Sequence, residues 1–522
     1  MLNIRPYNNK EQLLFPPSIG EYLSKDHLVH VVDEAVEQID LTPYYRKISP
    51  VGNPPYDPCL LTKVWFYGYC VKTYSSRKVE DKVNTDVAFI YLAGMQKPDF
   101  RTISDFRKNN LEELKKSFVD ILKICHRLGM TQLGNISIDS KVMKANASAD
   151  RTYTEKELIG EQEELEKAIQ EYLEKANQID EEEDEKYGPD KRGNELPENI
   201  RDKEQRIKKM KQIVEQLKQA RQKIKESNKE KINLTDNDAQ FQKDKSRIIP
   251  GYRADIAVDS KEQVIVTNDV TEQQNDSSQL FPMIDQTIEN VKVIEPEKFS
   301  KDNSQIEKIN ITADSGYSSG ENFSELEKEQ YKSKIDPFIP DVVNEQNKKG
   351  KGGSHKEDPQ FDKSKFIYNP EDDTVTCPAG KKLHHIAKTN QRGVMYDVYG
   401  NTTECKSCQY YGKCTKSKRG RHIVISEYQP LIDKMRQKLK TEEGKKIYGT
   451  RKITAEPVFG NLSQNLGFRE FLLRGKQKVK GEFSLMCTAH NLLKMARTVR
   501  NLGKSLKELL NQPQLVPVPN TS

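Results

Sequence analysis

Ile136-Ser137-Ile138-Asp139-Ser140-Lys141-Val142 alternates apolar and polar side chains. A period of two marks a strand with one face against a core, and small polar residues, Asn146-Ala147-Ser148, end it. Further on, Ile256-Ala257-Val258 and Val264-Ile265-Val266-Thr267 flank Asp259-Ser260-Lys261-Glu262-Gln263 and read as an antiparallel hairpin. Phe281–Val293 has helical spacing. A further apolar run, Ile309-Asn310-Ile311-Thr312-Ala313, ends in Asp314-Ser315-Gly316-Tyr317. Strands interleaved with helices predict a mixed α/β core.

The regions around this core differ in character. Residues 1–130 read as helical: Tyr22–Ile39 is periodic, and Leu60–Val71, with Trp65, Phe66, Tyr67 and Tyr69, reads as the core helix of a small bundle. A helix is expected after Pro98-Asp99. Short helices with interspersed Arg and Lys suit a DNA-binding module, and an ordinary helical domain fits the same pattern. Between the core segments 131–153 and 248–343, Leu158, Leu165, Ile169 and Leu173, then Ile207, Met210, Ile213, Val214 and Leu217, recur at helical spacing among Glu and Lys. The expected unit, 154–247, is an antiparallel helical hairpin of coiled-coil type turning at Tyr187-Gly188-Pro189; a charged disordered insert is the alternative. Residues 344–374 read as a linker, 375–425 as a Cys-rich insertion, 426–510 as the helical C-terminal part of the core and 511–522 as a disordered tail. Within 426–510, helices are expected over Gln429–Lys446, Glu456–Leu473 and Phe483–Leu510.

Composition narrows the function. No apolar run is long enough to span a membrane, and the first residues lack the apolar stretch of a signal peptide, so a cytoplasmic protein is expected. The net charge of +6 hides an asymmetry: residues 375–522 carry 28 Lys and Arg against 10 Asp and Glu, and the preceding part is net acidic. A basic C-terminal third suits a polyanion, or is simply a solvated surface. Of eight cysteines, Cys59, Cys70, Cys125 and Cys487 lie in apolar surroundings and read as buried thiols. Cys377, Cys405, Cys408 and Cys414 form a cluster suited to tetrahedral Zn²⁺. His384, His385 and His422 are alternative ligands, and four reduced thiols in a compact subdomain the metal-free reading. Lys416, Lys418, Arg419 and Arg421 beside the cluster suggest DNA contact.

Asp139 and Asp314 both stand at the ends of predicted strands, where an α/β sheet presents side chains to substrate. Carboxylates are ligands for hard divalent cations. One such aspartate is usually a cap or turn residue; two justify a metal-site hypothesis. Asp255, Asp259 and Asp269 read as turn and edge residues, and His490 as packed or hydrogen-bonded rather than catalytic.

Six pieces occur in order: Ile138-Asp139-Ser140-Lys141-Val142-Met143-Lys144-Ala145-Asn146-Ala147; Gly251-Tyr252 before Ile256; Ala313-Asp314-Ser315-Gly316-Tyr317; Arg451 with Glu456-Pro457-Val458-Phe459-Gly460-Asn461; Phe471-Leu472-Leu473-Arg474-Gly475; and Lys478-Val479-Lys480-Gly481-Glu482-Phe483. Together they resemble the insertion-sequence transposases of the DDE superfamily, in the branch with an extended helical N-terminal region. The resemblance implies a ribonuclease-H-like core whose catalytic residues Asp139, Asp314 and Glu456 hold two Mg²⁺ or Mn²⁺ ions. It further implies DNA cleavage at the element's terminal repeats, attack of the freed 3′-OH on target DNA, a homodimer on DNA and association with the bacterial nucleoid. Tyr448, Arg451 and Glu456 match the Tyr-Arg-Glu-Lys signature, with one residue too many between Arg451 and Glu456. Where its phosphate-contacting lysine is expected, the chain has Ser463. Arg451, Tyr448, Arg474, Lys478 and Lys480 are the candidate DNA-binding residues, with Arg469 and Lys476 as further substitutes. Two rivals are a catalytically degenerate DNA-binding protein, favoured by Ser463 and the irregular spacing, and a coiled-coil and zinc scaffold.

Overall fold

Asn135–Lys144 forms the expected strand, β1. In this computed structural model, which describes residues 18–187, 198–227, 229–244, 247–299, 307–341, 359–391 and 393–512, it is the middle of a mixed sheet. The other strands are β2 (Thr152–Thr154), β3 (Lys231–Asn233), β4 (Gln240–Asp244), β5 (Arg247–Asp259), β6 (Ile265–Thr271), β7 (Ile309–Thr312) and β8 (Ile335–Phe338). β5 pairs antiparallel with β1, and β6 antiparallel with β5. On the other side β7 and then β8 run parallel to β1. β4, expected within the hairpin insertion, instead pairs with the first residues of β5. The turn after Tyr187, the start of the expected linker and the tail beyond residue 512 lie outside the described residues.

Ile256, Ala257 and Val258 are all fully buried, because the sheet packs against the helices Leu280–Ile294, Glu442–Gly460 and Lys476–Leu502. A strand covered on both faces has no polar side to show. At Gly251 the approach of two backbones removes room for any side chain: a Cβ there would lie 2.6 Å from the Met143 carbonyl oxygen of β1.

The N-terminal region is helical as expected. Asp57 and Asp99 accept backbone N–H bonds from Cys59 and Thr102 and so start the helices Pro58–Cys70 and Phe100–Asn109. The helix expected from Tyr22 begins only at Leu28, capped by His27. These helices do not close on a core of their own. Val32, Trp65 and Phe118 belong to one continuous apolar core with Ile138, Ile256 and Leu485, and the Lys476–Leu502 helix packs against both the N-terminal helices and the sheet. At about 25 cal/mol per Å² of apolar surface removed from water, this shared burial makes the two ends of the chain depend on each other.

Helices Glu155–Tyr187 and Glu198–Ser227 pack side by side, tied at their base by the β2–β3 pair. Leu158, Leu217, Ala220 and Ile224 make a small core there. Residues 359–425 hold a second, antiparallel sheet: β9 (Ile367–Asn369), β10 (Thr374–Thr376), β11 (Lys382–Gln391), β12 (Val394–Gly400) and β13 (His422–Ser426). Its first strand lies inside the segment expected to be linker. No described helix is long and apolar enough to cross a membrane.

Candidate active site

Asp139 sits in mid-β1 rather than at the expected strand end, because β1 runs on to Lys144 in register with β5, and Asp314 lies two residues beyond the end of the shorter parallel neighbour β7. Asp314 is held by the turn it caps: its Oδ1 accepts the Gly316 N–H at 2.8 Å. A Cβ on Gly316 would lie 2.7 Å from Asp276 Oδ2 and 2.9 Å from Asp314 Oδ1, so this turn has room for glycine alone.

The third acid comes from the Glu442–Gly460 helix. Thr441 starts it by accepting the Gly444 N–H, at 3.0 Å. This helix does not begin at Glu456 as the sequence suggested; Pro457 lies inside it. Proline has no N–H for the Ile453 carbonyl one turn back. The Gln263 side chain, from the β5–β6 turn, supplies that bond, donating to the Ile453 oxygen at 2.7 Å. The Gln263 carbonyl in turn accepts from His490 Nε2 at 2.9 Å, and its Oε1 from Lys494 at 2.8 Å. His490 is fully buried, as expected of a packed histidine, and burial lowers its pKa to about 4.

Arg451, on the same helix, draws the acids together. Its Nη2 lies 2.9 Å from Asp139 Oδ1 and 3.8 Å from Asp314 Oδ2, and its Nη1 lies 3.4 Å from Glu456 Oε1. Burial pushes the Asp139 carboxyl up to about 6, although Arg451 pulls it down; Asp314 adds a further upward push. Asp314 is raised too, by burial first, against Arg451, with Asp276 pushing up. Burial disfavours the Arg451 charge, yet Asp139 and Asp314 outweigh it and raise its pKa. Two carboxylates that ionise reluctantly, beside a third and one resident cation, make a site that gains from further positive charge.

Among the described residues no three Cys, His, Asp or Glu side chains stand close enough to hold a metal ion as they are. The carboxylates are arranged about the guanidinium instead. Their donor chemistry suits a hard divalent cation, with Arg451 moved aside.

The residues behind the site carried no signal in the sequence. Asp255, read as a turn residue, is fully buried in β5, opposite Ser140 of β1. It accepts from the Tyr317 hydroxyl at 3.1 Å, and burial raises its pKa well above the usual carboxylate range. Ser140 donates to Asp276 at 2.6 Å, and Arg253 pairs with the same carboxylate. Asp259 also is buried, its carboxylate accepting the N–H groups of Leu133 and Lys261 at 2.8 and 3.0 Å. The strand-ending turn at Tyr317 was visible; its partners lie 62 and more residues away.

The candidate DNA contacts divide. Tyr448 is half-buried one turn before Arg451, and Lys478 is exposed. Arg474 bonds the Asn146 carbonyl at 3.1 Å, and Lys480 pairs with Asp269 at 2.6 Å. The motif holding them is also structural: fully buried Glu482 accepts the N–H groups of Leu472 and Leu473.

Cys377, Cys405, Cys408 and Cys414 line one small cavity with Arg421 and without a histidine. Cys414 is raised by burial, lowered by Arg421 and raised again by the other three thiols. His385 is engaged elsewhere, 2.8 Å from Asp397. Cys70, Cys125 and Cys487 are buried and Cys59 is partly so.

Residues 376–496 match the family model described as Transposase DDE domain, and residues 17–109 match that described as Transposase domain (DUF772). The first match takes in the four clustered cysteines, β11 to β13 of the second sheet, Arg451 and Glu456; Asp139 and Asp314 lie outside both. No curated protein and no solved structure matches the chain. One transposase model thus falls on the N-terminal helices and another on the part that carries Arg451 and Glu456, and the two matches support an insertion-sequence DDE transposase.

Proposed function

We propose that this protein cleaves DNA at the ends of an insertion sequence and joins the freed 3′-OH to target DNA, with Asp139, Asp314 and Glu456 as its catalytic acids. The observation that carries the reading is the convergence of three carboxylates, from β1, from the turn after β7 and from a C-terminal helix, on the single Arg451 guanidinium. The sheet supports it: β5 lies antiparallel on one side of β1, with β6 antiparallel to β5, and β7 and β8 lie parallel on the other, which is compatible with a ribonuclease-H-like core. The active form is a homodimer on paired ends, and the basic C-terminal third supplies phosphate contacts.

Two divalent cations, held by the three carboxylates, would supply the Lewis acidity for in-line displacement at phosphorus. The chain's own residues prepare that site. The Asp314 turn fixes one carboxylate, the strand fixes another, and the Gln263–Ile453 bond supports the helix that carries the third. Arg451 offsets part of their charge in the resting protein and, once cations take its place, could meet a phosphate. The four cysteines, which like the acids do not stand close enough to hold an ion as they are, would have to draw together to hold one structural Zn²⁺, their thiols being the donor set that ion prefers.

Cleavage of a duplex carrying the terminal repeat, with Mg²⁺ or Mn²⁺, tests the reading. Nicking at the element boundary that is lost in Asp139→Ala and Asp314→Ala is the expected result. Tight binding without nicking, unchanged by either substitution, would identify a degenerate DNA-binding protein instead.

A further inference from the structure

Asp276 opens the short turn Asp276–Gln279 between β6 and the Leu280–Ile294 helix. Its carboxylate is the meeting point of three elements. Oδ1 accepts from Ser140 Oγ at 2.6 Å, on β1 directly after Asp139, and from the Arg253 guanidinium on β5. Arg253 also donates to Ser140 Oγ at 3.2 Å and to the Gln274 carbonyl at 2.9 Å, which ties the approach to the turn onto β5. Oδ2 faces the Asp314 turn: the Cβ that Gly316 lacks would lie 2.7 Å from it and 2.9 Å from Asp314 Oδ1, so the two carboxylates flank one glycine. The Asn322 side chain fastens the two turns together, donating to the Ser277 carbonyl and to the Tyr317 carbonyl, each at 2.8 Å.

We propose that Asp276 is a positioning residue of the cation site: it sets the separation of Asp139 and Asp314 by bracing the turn that carries one against the strand that carries the other. The backbone ladder does not fix that separation. The parallel pairing of β1 with β7 stops at Ser137 and Thr312, two residues short of either acid. Arg451 spans the two acids in the resting protein, but it must give way to the cations. The brace through Asp276, Ser140 and Arg253 does not involve Arg451 and stays when it leaves. Arg253 also offsets the charge that Asp276 places beside Asp314, the one drawing the Asp314 carboxyl down and the other pushing it up. Side chains that orient metal ligands from behind typically matter 10–100-fold, roughly, in metal affinity or activity. The inference rests on the metal-dependent transposase reading above.

The test uses the full chain. Thermal unfolding against Mg²⁺ concentration reads cation binding without DNA, and nicking of the terminal-repeat duplex against Mg²⁺ reads it during the reaction. Asp276→Asn keeps the size of the side chain and removes its charge. It is expected to raise the Mg²⁺ concentration at half the thermal shift, and at half-maximal nicking, by about 10–100-fold. Affinity for the repeat without divalent ions should stay as in the wild type. Ser140→Ala should move both midpoints in the same direction, and the double variant should be no worse than Asp276→Asn, because the hydroxyl acts through that carboxylate. Should Asp276→Asn melt early, Ser140→Ala removes one hydroxyl and carries the same comparison. Unchanged Mg²⁺ midpoints in these variants, in a protein that still nicks, overturn the assignment of Asp276 alone. A lower melting temperature or rate with unchanged midpoints does the same, since that is the mark of a purely structural residue. A wild-type protein that shows no Mg²⁺ shift and neither binds nor nicks the repeat overturns the transposase reading with it.

Discussion

Replacing Asp139 by asparagine is expected to stabilise the protein at neutral pH while abolishing cleavage. Asp139 is 9% exposed, and burial raises its pKa from 3.8 to about 6 despite Arg451. A carboxyl that holds its proton more tightly when folded stabilises the protein in acid, and that contribution is lost as pH rises from 3.8 through about 6. At about 1.4 kcal/mol for each tenfold change in proton affinity, the ionised carboxylate costs about 3 kcal/mol at pH 7. Asparagine keeps the shape and carries no charge. Urea unfolding of Asp139→Asn and wild type at a series of pH values, without divalent ions, measures the difference. The variant should be the more stable by up to about 3 kcal/mol at pH 7, and the gap should close by about pH 4. Added Mg²⁺ should then stabilise the wild type alone, by about 1.4 kcal/mol at ten times its dissociation constant. A wild type more stable than Asp139→Asn at pH 7 to 8 without divalent ions would refute the reasoning, because Arg451 would then more than offset the desolvation of Asp139.

Other parts of the molecule give independent tests. Gln263→Ala should cost about 1 kcal/mol by leaving the Ile453 carbonyl without its donor, and should lower Mg²⁺-dependent nicking more than DNA binding, as read in paired gel assays. Gly251→Ala should cost about 1–3 kcal/mol in urea unfolding, because its Cβ must displace the Met143 carbonyl. His490, with a pKa lowered to about 4 by burial, contributes stability that is complete above pH 6.5 and lost as pH falls toward 4. The full contribution is about 3 kcal/mol, and His490→Gln should flatten that part of the pH profile. A chelator with a metal-sensitive dye should release one Zn²⁺ per chain from the wild type and none from Cys405→Ser, with the second sheet melting at lower temperature after release.

Several elements were legible because each shows its environment locally. The alternation of Ile136–Val142, the paired apolar runs around Asp259-Ser260 and the helical period of Phe281–Val293 are local patterns, and all three elements form. β11 was not legible: almost every residue from Lys382 to Gln391 is exposed, so no apolar face marks it as a strand. β8 is four residues long and gives no period to read. Asp255 looked like a turn residue, since an aspartate beside apolar neighbours has no local sign of burial. The helix around Glu456 was expected to start there, since proline suits a first turn; it runs instead from Glu442 to Gly460, with Pro457 tolerated inside it because Gln263 donates to the orphaned carbonyl.

The sequence by itself determined the strands and helices with a clear period, the two candidate aspartates, the cysteine set and, through motifs in order, the resemblance to a transposase family. Those are properties of short segments, fixed by side-chain period, turn chemistry and residue type. Tertiary structure alone decided that the N-terminal helices share a core with the Lys476–Leu502 helix. It also decided that Arg451 lies among three carboxylates and that Ser140 meets Asp276. Most of these contacts join residues far apart in the chain, Arg451 with Asp139 across 312 positions, and their energies depend on burial and distance, which no local pattern records.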